Sequence, residues 1–532
     1  MKKRFRNALL WLAVVSTLLN WTSCNAPKPA GIKTADGIPN LEEITIAALR
    51  KGYSDGRYTI TAVVKEYLKR IDGIDKNGPA LNSILTVNPD ALAIAAELDA
   101  EMAAGKIRGP LHGIPVILKD NIDTGDKMPT TAGATVLRNS HAHADSWVAQ
   151  KLRAAGAVIL GKSNLSEWAN FRAQMSSSGW SGVGGQTRNP YVLDRNPCGS
   201  SSGSGVAVSA NLCVFAIGTE TNGSIVCPSN NNGITGLKPT VGLISRRGII
   251  PISSTQDTPG PMARTVEDLA AALGSMTGID STDRRTLESQ GKSYSDYTSF
   301  LKKDALKGKR IGLIRNSGDF HDRVAILLNQ AVDFLKSQGA EVVVVDPLAG
   351  DYDDASYTVM LYEFKDGLNA YFASLGTDAP VKSMTDLIRF NLSDPVELRY
   401  FDQKILEQAD RKGGLDAPEY RVSLAKMLKA TREEGIDKLM NGNRLDALMA
   451  PTGSPAWKTD LLMGDHYIGG SSSLAAISGY PSITVPMGFI DELPVGVSFF
   501  GRAWSEPVLI GIAYAYEQGT RHRKAPKFLL TD

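Results

Sequence analysis

Between residues 198 and 240 the chain reads CGSSSGSGVAVSANLCVFAIGTETNGSIVCPSNNNGITGLKPT. Two Ser/Gly clusters, 198–205 and 221–224, flank an apolar run of small residues. Glycines at 199, 203, 205 and 223 let backbone N–H groups turn toward a ligand where a Cβ would clash. Serine hydroxyls beside such a nest are the parts of a nucleophile and an oxyanion site. A flexible linker does not interleave Val, Ala, Phe and Ile at this density.

A serine needs a base. His112, His141, His143, His321, His466 and His522 are scattered, and none has a partner suggested by its neighbours. Gly199-Ser-Ser-Ser-Gly lacks the preceding strand of a nucleophile elbow. Lys119 is the stronger candidate. It ends the apolar run Val116-Ile-Leu, which follows the tight Gly113-Ile-Pro turn. Desolvation in an apolar cleft lowers a lysine pKa and makes a base of it, with a small hydroxyl to relay the proton.

The elements that must position these groups alternate. The run 206–211 predicts a helix and 213–217 a strand, which makes the two Ser/Gly clusters loops at the ends of rigid pieces. Upstream, 41–51 and 59–73 have amphipathic spacing, with Asp36 or Asn40 capping the first and Thr59 the second. Residues 89–104 form a helix, 116–118 a strand, 145–156 a helix and 157–160 a buried strand. Residues 165–171 begin a further helix, and 174–190 form a polar loop walling a site. Downstream, 266–277 is helical, and 310–314, 324–338 and 341–345 make a βαβ-like unit. Residues 355–445 are a charged helical cover over one face, and the end returns to strands and helices. The fold class expected is α/β, one large α/β/α sandwich around a mixed, mostly parallel sheet.

The 532-residue chain is 42% hydrophobic and 21% charged, with a net charge of +2, which gives no reason to invoke nucleic acid. No HExxH or CxxC occurs, so neither a metal nor another cofactor is expected. Basic residues 1–6, an apolar run 8–19 too short to span a bilayer, and Trp21-Thr22-Ser23-Cys24 read as an export signal ending in a lipoprotein cleavage box. The expected divisions are a signal peptide 1–23, a linker 24–39 behind a lipidated Cys24, and one catalytic domain 40–528. That makes an exported protein of the periplasm or cell envelope, touching the membrane only through Cys24, and a monomer. Cys198, Cys213 and Cys227 are expected as buried free thiols.

From about residue 41 to 528 the chain resembles the amidase signature family of serine hydrolases. GIPVILKDN at 113–121, CGSSSGS at 198–204, GTETNGSI at 218–225, GLKPT at 236–240 and GPMARTVED at 260–268 carry the resemblance. It implies a Ser–cisSer–Lys triad in which Lys119 is the base, Ser200 the cis-serine and Ser224 the nucleophile. It also implies an oxyanion hole from the backbone of Thr221, Asn222, Gly223 and Ser224, and substrate contacts from Gln174, Ser176 and Ser177. Within the family, GKSNLSEWANFR at 161–172, GQTRNPY at 185–191, TETNGSIVCP at 219–228 and AYAYEQ at 513–518 are similar to bacterial peptide amidases. The implied substrate is a small or peptide amide. The loops 198–205 and 222–228, with Val226 and Cys227, would wall a pocket for ammonia alone.

Several positions depart from the family pattern. Cys198, Ser202 and Asn222 stand where glycines are usual, and Val226 where Arg is common. Asn tolerates positive φ, which would keep the oxyanion hole intact at 222. Alternative readings are a fatty-acid or aryl amidase of the same family, and an envelope binding protein that has lost activity. Intact Lys119, Ser200 and Ser224 argue against the last. For the leader, a fatty-acid probe is expected to label the wild-type chain and not Cys24→Ala. An unlabelled wild type would remove the anchor.

Overall fold

The computed structural model describes residues 40–348 and 352–531. Residues 1–39, on which the expected signal peptide, lipidated Cys24 and linker fall, lie outside them. Eleven strands form one sheet: β1 (Ile84–Val87), β2 (Pro115–Lys119), β3 (Val158–Ser163), β4 (Phe215–Glu220), β5 (Thr235–Lys238), β6 (Thr258–Ala263), β7 (Arg310–Ile314), β8 (Glu341–Val345), β9 (Ala447–Pro451), β10 (Ser482–Ile490) and β11 (Leu493–Phe500). Their spatial order is β1-β3-β2-β4-β6-β5-β10-β11-β9-β7-β8.

The sheet is mixed, as expected. Parallel pairing is confined to two blocks, β3-β2-β4 and β9-β7-β8. The expectation of a mostly parallel sheet holds in those blocks and fails between and beside them, where every neighbour is antiparallel. The hairpin β10–β11 turns on Asp491 and Glu492, with Asp491 at φ 54°, and a two-residue turn can only reverse the chain. Every residue of β2, β3, β4 and β6 is buried. These strands are covered on both faces, and their continuous apolar runs follow from that.

Helices Ser202–Ser209 and Val226–Asn231 pack together against the sheet. Helices Trp147–Ala154, Val266–Met276 and Glu506–Thr520 pack with one another in the other outer layer. The charged segment is a helical cover, as its sequence suggested. Helices Asp353–Ser374, Met384–Ser393 and Lys404–Asp410 close over Ala132, Trp168, Ile250 and Ile252 in a second apolar cluster.

Two element predictions are corrected. The first helix is Ile46–Ser54, capped by Thr45, whose hydroxyl accepts from Ala48 N at 3.2 Å. Glu43 sits at φ 55°, which keeps 41–43 out of the helix and rules out Asn40 as its cap, while Asp36 lies outside the described residues. Residues 165–171 make only a short 3₁₀ turn, because Trp168, Ala169 and Asn170 have positive φ. The physical reason is packing: Glu167 and Arg172 turn inward there, and Arg172 Nη1 donates to Glu167 Oε1 at 2.6 Å and Glu397 Oε2 at 2.8 Å. Burial pushes Glu167 well above the usual carboxylate range, against the pull of Arg172.

This buried triad ties the turn to the cover. Arg172→Ala strands two buried carboxylates and is expected to lower unfolding stability by about 3–5 kcal/mol in urea titration. A loss under about 1 kcal/mol would mean the cover is held by its apolar contacts alone.

Candidate active site

The two Ser/Gly clusters meet because the chain between them goes out as a helix and returns as a strand. Ser202–Ser209 leads away from Ser200, and β4 comes back to end at Glu220. The helix starts earlier, and the strand ends later, than the sequence pattern placed them, which delivers residues 221–224 directly to residues 199–201. Ser201 N donates to Ser224 O at 3.1 Å, and Ser201 Oγ to Thr219 O at 3.1 Å. Ser166 N donates to Ser200 O at 3.0 Å. The Gly199–Ser200 peptide bond is cis, as the resemblance implied for that serine. A Cβ on Gly199 would lie 2.2 Å from Ser166 Oγ, so only glycine fits at that point.

Lys119 arrives by parallel pairing. β2 and β4 run side by side with Leu118 opposite Ile217, so the carboxyl end of one meets the carboxyl end of the other. This is the end of an open α/β sheet at which ligands characteristically bind. Lys119 is fully buried. Its Nζ lies 2.8 Å from Ser200 Oγ, 2.9 Å from Thr219 Oγ1 and 3.2 Å from Thr219 O. Asn121 Nδ2 donates to the same Thr219 hydroxyl at 3.0 Å and fixes it. Burial lowers the Lys119 pKa to about 7, and the charges of Asp257 and Glu220 only partly oppose this.

Ser224 is 7% exposed, and its hydroxyl has no hydrogen-bond partner among the described residues. Its turn is held by Glu220, a residue that sequence reasoning missed. The buried Glu220 carboxylate accepts from Gly223 N at 2.9 Å, Ile225 N at 2.8 Å and Val226 N at 3.1 Å. The signal was present in the motif, since a carboxylate four residues before a serine can gather the N–H groups around it.

Gly223 N–H is therefore engaged, which leaves Thr221, Asn222 and Ser224 as candidates from the expected set of four oxyanion donors. The N–H groups of these three have no protein acceptor among the described residues. Positive φ falls on Gly223, at 80°, and not on Asn222, so Asn at 222 needs no special tolerance. The Asn222 side chain instead bonds Ser472 and Ser473, at 2.7 and 3.3 Å.

A cleft of about 570 Å³ opens beside this turn. Gln174, Ser176 and Ser178 line it. Ser177 does not: it is buried, and its hydroxyl accepts from Asn196 Nδ2 at 3.1 Å. Cys198, Gly199, Asn222, Gly223 and Cys227 wall this broad cleft, and Val226 is buried behind it. A second cavity of about 330 Å³ shares Thr219, Thr221 and Asn121 with the site. No histidine lines either cavity.

The free-thiol expectation is overturned for two cysteines. Cys198 and Cys227 form a disulfide, with Cα atoms 5.9 Å apart, and only Cys213 is a buried free thiol among the described residues. The bridge joins the strand of chain before Ser200 to the helix after Ser224.

With this geometry established, comparison with known proteins is decisive. Residues 62–510 match the protein family described as Amidase. The chain belongs to that family. It is 49% identical to the native peptide amidase from Stenotrophomonas maltophilia, with a TM-score of 0.89 over 92% of this chain and 99% of that one. A peptide amidase in complex with the competitive inhibitor chymostatin is 50% identical, with a TM-score of 0.89 over 91% of this chain and 99% of that chain. A probable amidase of Arabidopsis thaliana is 40% identical over 502 residues, 92% of each. This amidase is thus an amide hydrolase with the single-domain α/β fold of its family.

The disulfide in this amidase is directly checkable. Alkylation of the denatured, unreduced chain followed by peptide mapping is expected to modify Cys213 and spare Cys198 and Cys227, which become reactive only after reduction. Modification of all three before reduction would show the bridge to be absent.

Proposed function

We propose that this amidase hydrolyses the carboxy-terminal amide of peptides, releasing ammonia through a Ser224 acyl-enzyme. The observation that carries the chemistry is the buried Lys119 amine 2.8 Å from Ser200 Oγ. With a pKa of about 7, much of Lys119 is neutral at physiological pH. A neutral amine has two N–H donors, which match the two Thr219 oxygens, and one lone pair, which is left for the Ser200 hydroxyl. Ser200 then accepts the proton of Ser224, whose unpartnered hydroxyl is able to turn toward it.

Ser224 Oγ attacks the carbonyl carbon, and the N–H groups of Thr221, Asn222 and Ser224 receive the oxyanion. A strong donor in such a hole is worth roughly 3–4 kcal/mol of barrier. Collapse expels the amine, which takes the proton back from Lys119 through Ser200. Water, deprotonated by the same pair, cleaves the ester and frees Ser224.

Two features support a peptide as the acyl part. The cleft offers hydroxyls and amides from Asn170, Gln174, Ser176, Ser472 and Ser473, which suit a peptide backbone and not an alkyl chain. The structures that match at 49–50% identity over most of the chain are of peptide amidases. The leader and Cys24 further support an exported enzyme held at the cell envelope by a lipid.

The test has two parts. Lys119→Ala and Ser224→Ala are expected to abolish ammonia release, and Ser200→Ala to cripple it, with folding retained. In the wild type, kcat/KM should rise with pH through an apparent pKa near 7 and then level off, because protonated Lys119 cannot accept a proton. A series sharing one acyl peptide, with ammonia, methylamine or an amino acid as leaving group, should show ammonia released fastest. Equal rates across the three would favour a general amidase, and activity surviving in Lys119→Ala would reject the mechanism.

A further inference from the structure

Five of the sixteen large hydrophobic side chains exposed among the described residues fall in two short segments: Met175 (61%), then Leu462 (86%), Met463 (60%), Tyr467 (45%) and Ile468 (53%). The segments are joined. Gly464 has no room for a Cβ beyond 3.1 Å from the Met175–Ser176 backbone, and Asp465 N donates to Ser176 O at 3.1 Å. The join is also rigid. The Asp465 carboxylate accepts from Ser178 N at 2.9 Å, from Trp457 Nε1 at 3.1 Å and from Asn196 Nδ2 at 3.2 Å, besides the Ser178 hydroxyl. Trp457 in turn packs on the disulfide and stands 5.8 Å, edge to face, from Tyr467.

Met175 and Tyr467 line the catalytic cleft, so this exposed apolar lip is continuous with it. Among the described residues Asp465 is the only charged side chain in the cleft lining, and its oxygens are already taken. Nothing there is placed to fix a charged chain end. The lining thus combines hydrogen-bonding groups with Met175 and Tyr467, which belong to the same lip as the more exposed Leu462 and Met463.

We infer that the lip formed by Met175 and the 462–468 loop is a subsite for apolar side chains of the peptide, upstream of the residue that carries the terminal amide. This rests on the peptide-amide reading. It makes the substrate class peptide amides with hydrophobic residues two or three positions before the end. Burying one such side chain against a partly open apolar surface is worth about tenfold in selectivity.

The experiment measures ammonia release from acetyl-phenylalanine amide, which has no residue upstream of the one that carries the amide. It adds two acetylated tetrapeptide amides with the same terminal residue, carrying leucine or serine at both of the first two positions. The wild type should favour the leucine peptide in kcat/KM by about tenfold. The double substitution Leu462→Ser, Met463→Ser, at highly exposed positions, should bring the two tetrapeptides within about twofold and leave the short amide unchanged. Equal rates for the two tetrapeptides in the wild type would overturn the subsite. So would a variant equally impaired on the short amide, which would show a structural role. Binding to phosphatidylcholine vesicles that the double substitution abolishes, with peptide selectivity unaltered, would assign the lip to a lipid surface instead. Ammonia released from a long-chain alkanamide and from none of the three peptide substrates would overturn the peptide-amide reading itself.

Discussion

A lysine amine buried without a carboxylate beside it is costly unless it sheds its proton, and Lys119 is in that position. Its neighbours are two hydroxyls and one carbonyl. The adjacent strand provides a contrast. Lys162 on β3 is equally buried, one register position away from Lys119, yet it lies 3.9 Å from Asp120 and donates to Ile122 O and Thr130 Oγ1. Burial lowers the pKa of both lysines and carboxylate charges partly oppose it at both, but Lys162 has Asp120 within ion-pair distance, and Asp120 and Asp123 are themselves raised to about 6 by their own burial. The two amines differ in company, not in depth. One is built into a structural cluster, and the other is left with the lone pair that the proposed mechanism requires.

The rest of the site keeps Lys119 in this state. Parallel pairing of β2 with β4 sets it against Thr219, and Asn121 holds the Thr219 hydroxyl in place. The two acids nearest in charge are occupied elsewhere. Glu220 gathers three backbone N–H groups of the Ser224 turn, and Asp257 accepts from the Thr221 hydroxyl and from Ile252 and Ser253 N. Both stabilise loops next to the lysine without forming an ion pair with it. Either one moved onto Lys119 would raise its pKa and remove the base.

The disulfide and the cover serve the same end from outside. Cys198–Cys227 ties the chain before Ser200 to the helix after Ser224, so the two serines cannot drift apart. The cover contributes Tyr357 and Ile405 to the cleft, and its Glu363 accepts from the Ser253 and Thr255 hydroxyls. It thus braces the loop that carries Asp257.

What the sequence determined by itself was local and chemical. The motifs around Lys119, Ser200 and Ser224 identified the family, and runs such as Arg310–Ile314 and Glu341–Val345 were legible as strands because apolar β-branched residues bounded by turns have few other solutions. The tertiary structure decided everything that depends on residues far apart in the chain. The pairing of Cys198 with Cys227 follows from a helix and a strand returning to one place, which no spacing encodes. Ser177 faces inward because Asn196 lies behind it, and Gly223 is lost as an oxyanion donor because Glu220 folds back beneath it. The turn at Trp168 and Ala169 looked helical in composition, and a buried Arg172 bridging Glu167 and Glu397 from distant segments overrode that preference. Residue types name the chemistry a chain can perform. Which of those groups is neutral, exposed or already engaged is set by burial and by partners that only the fold supplies.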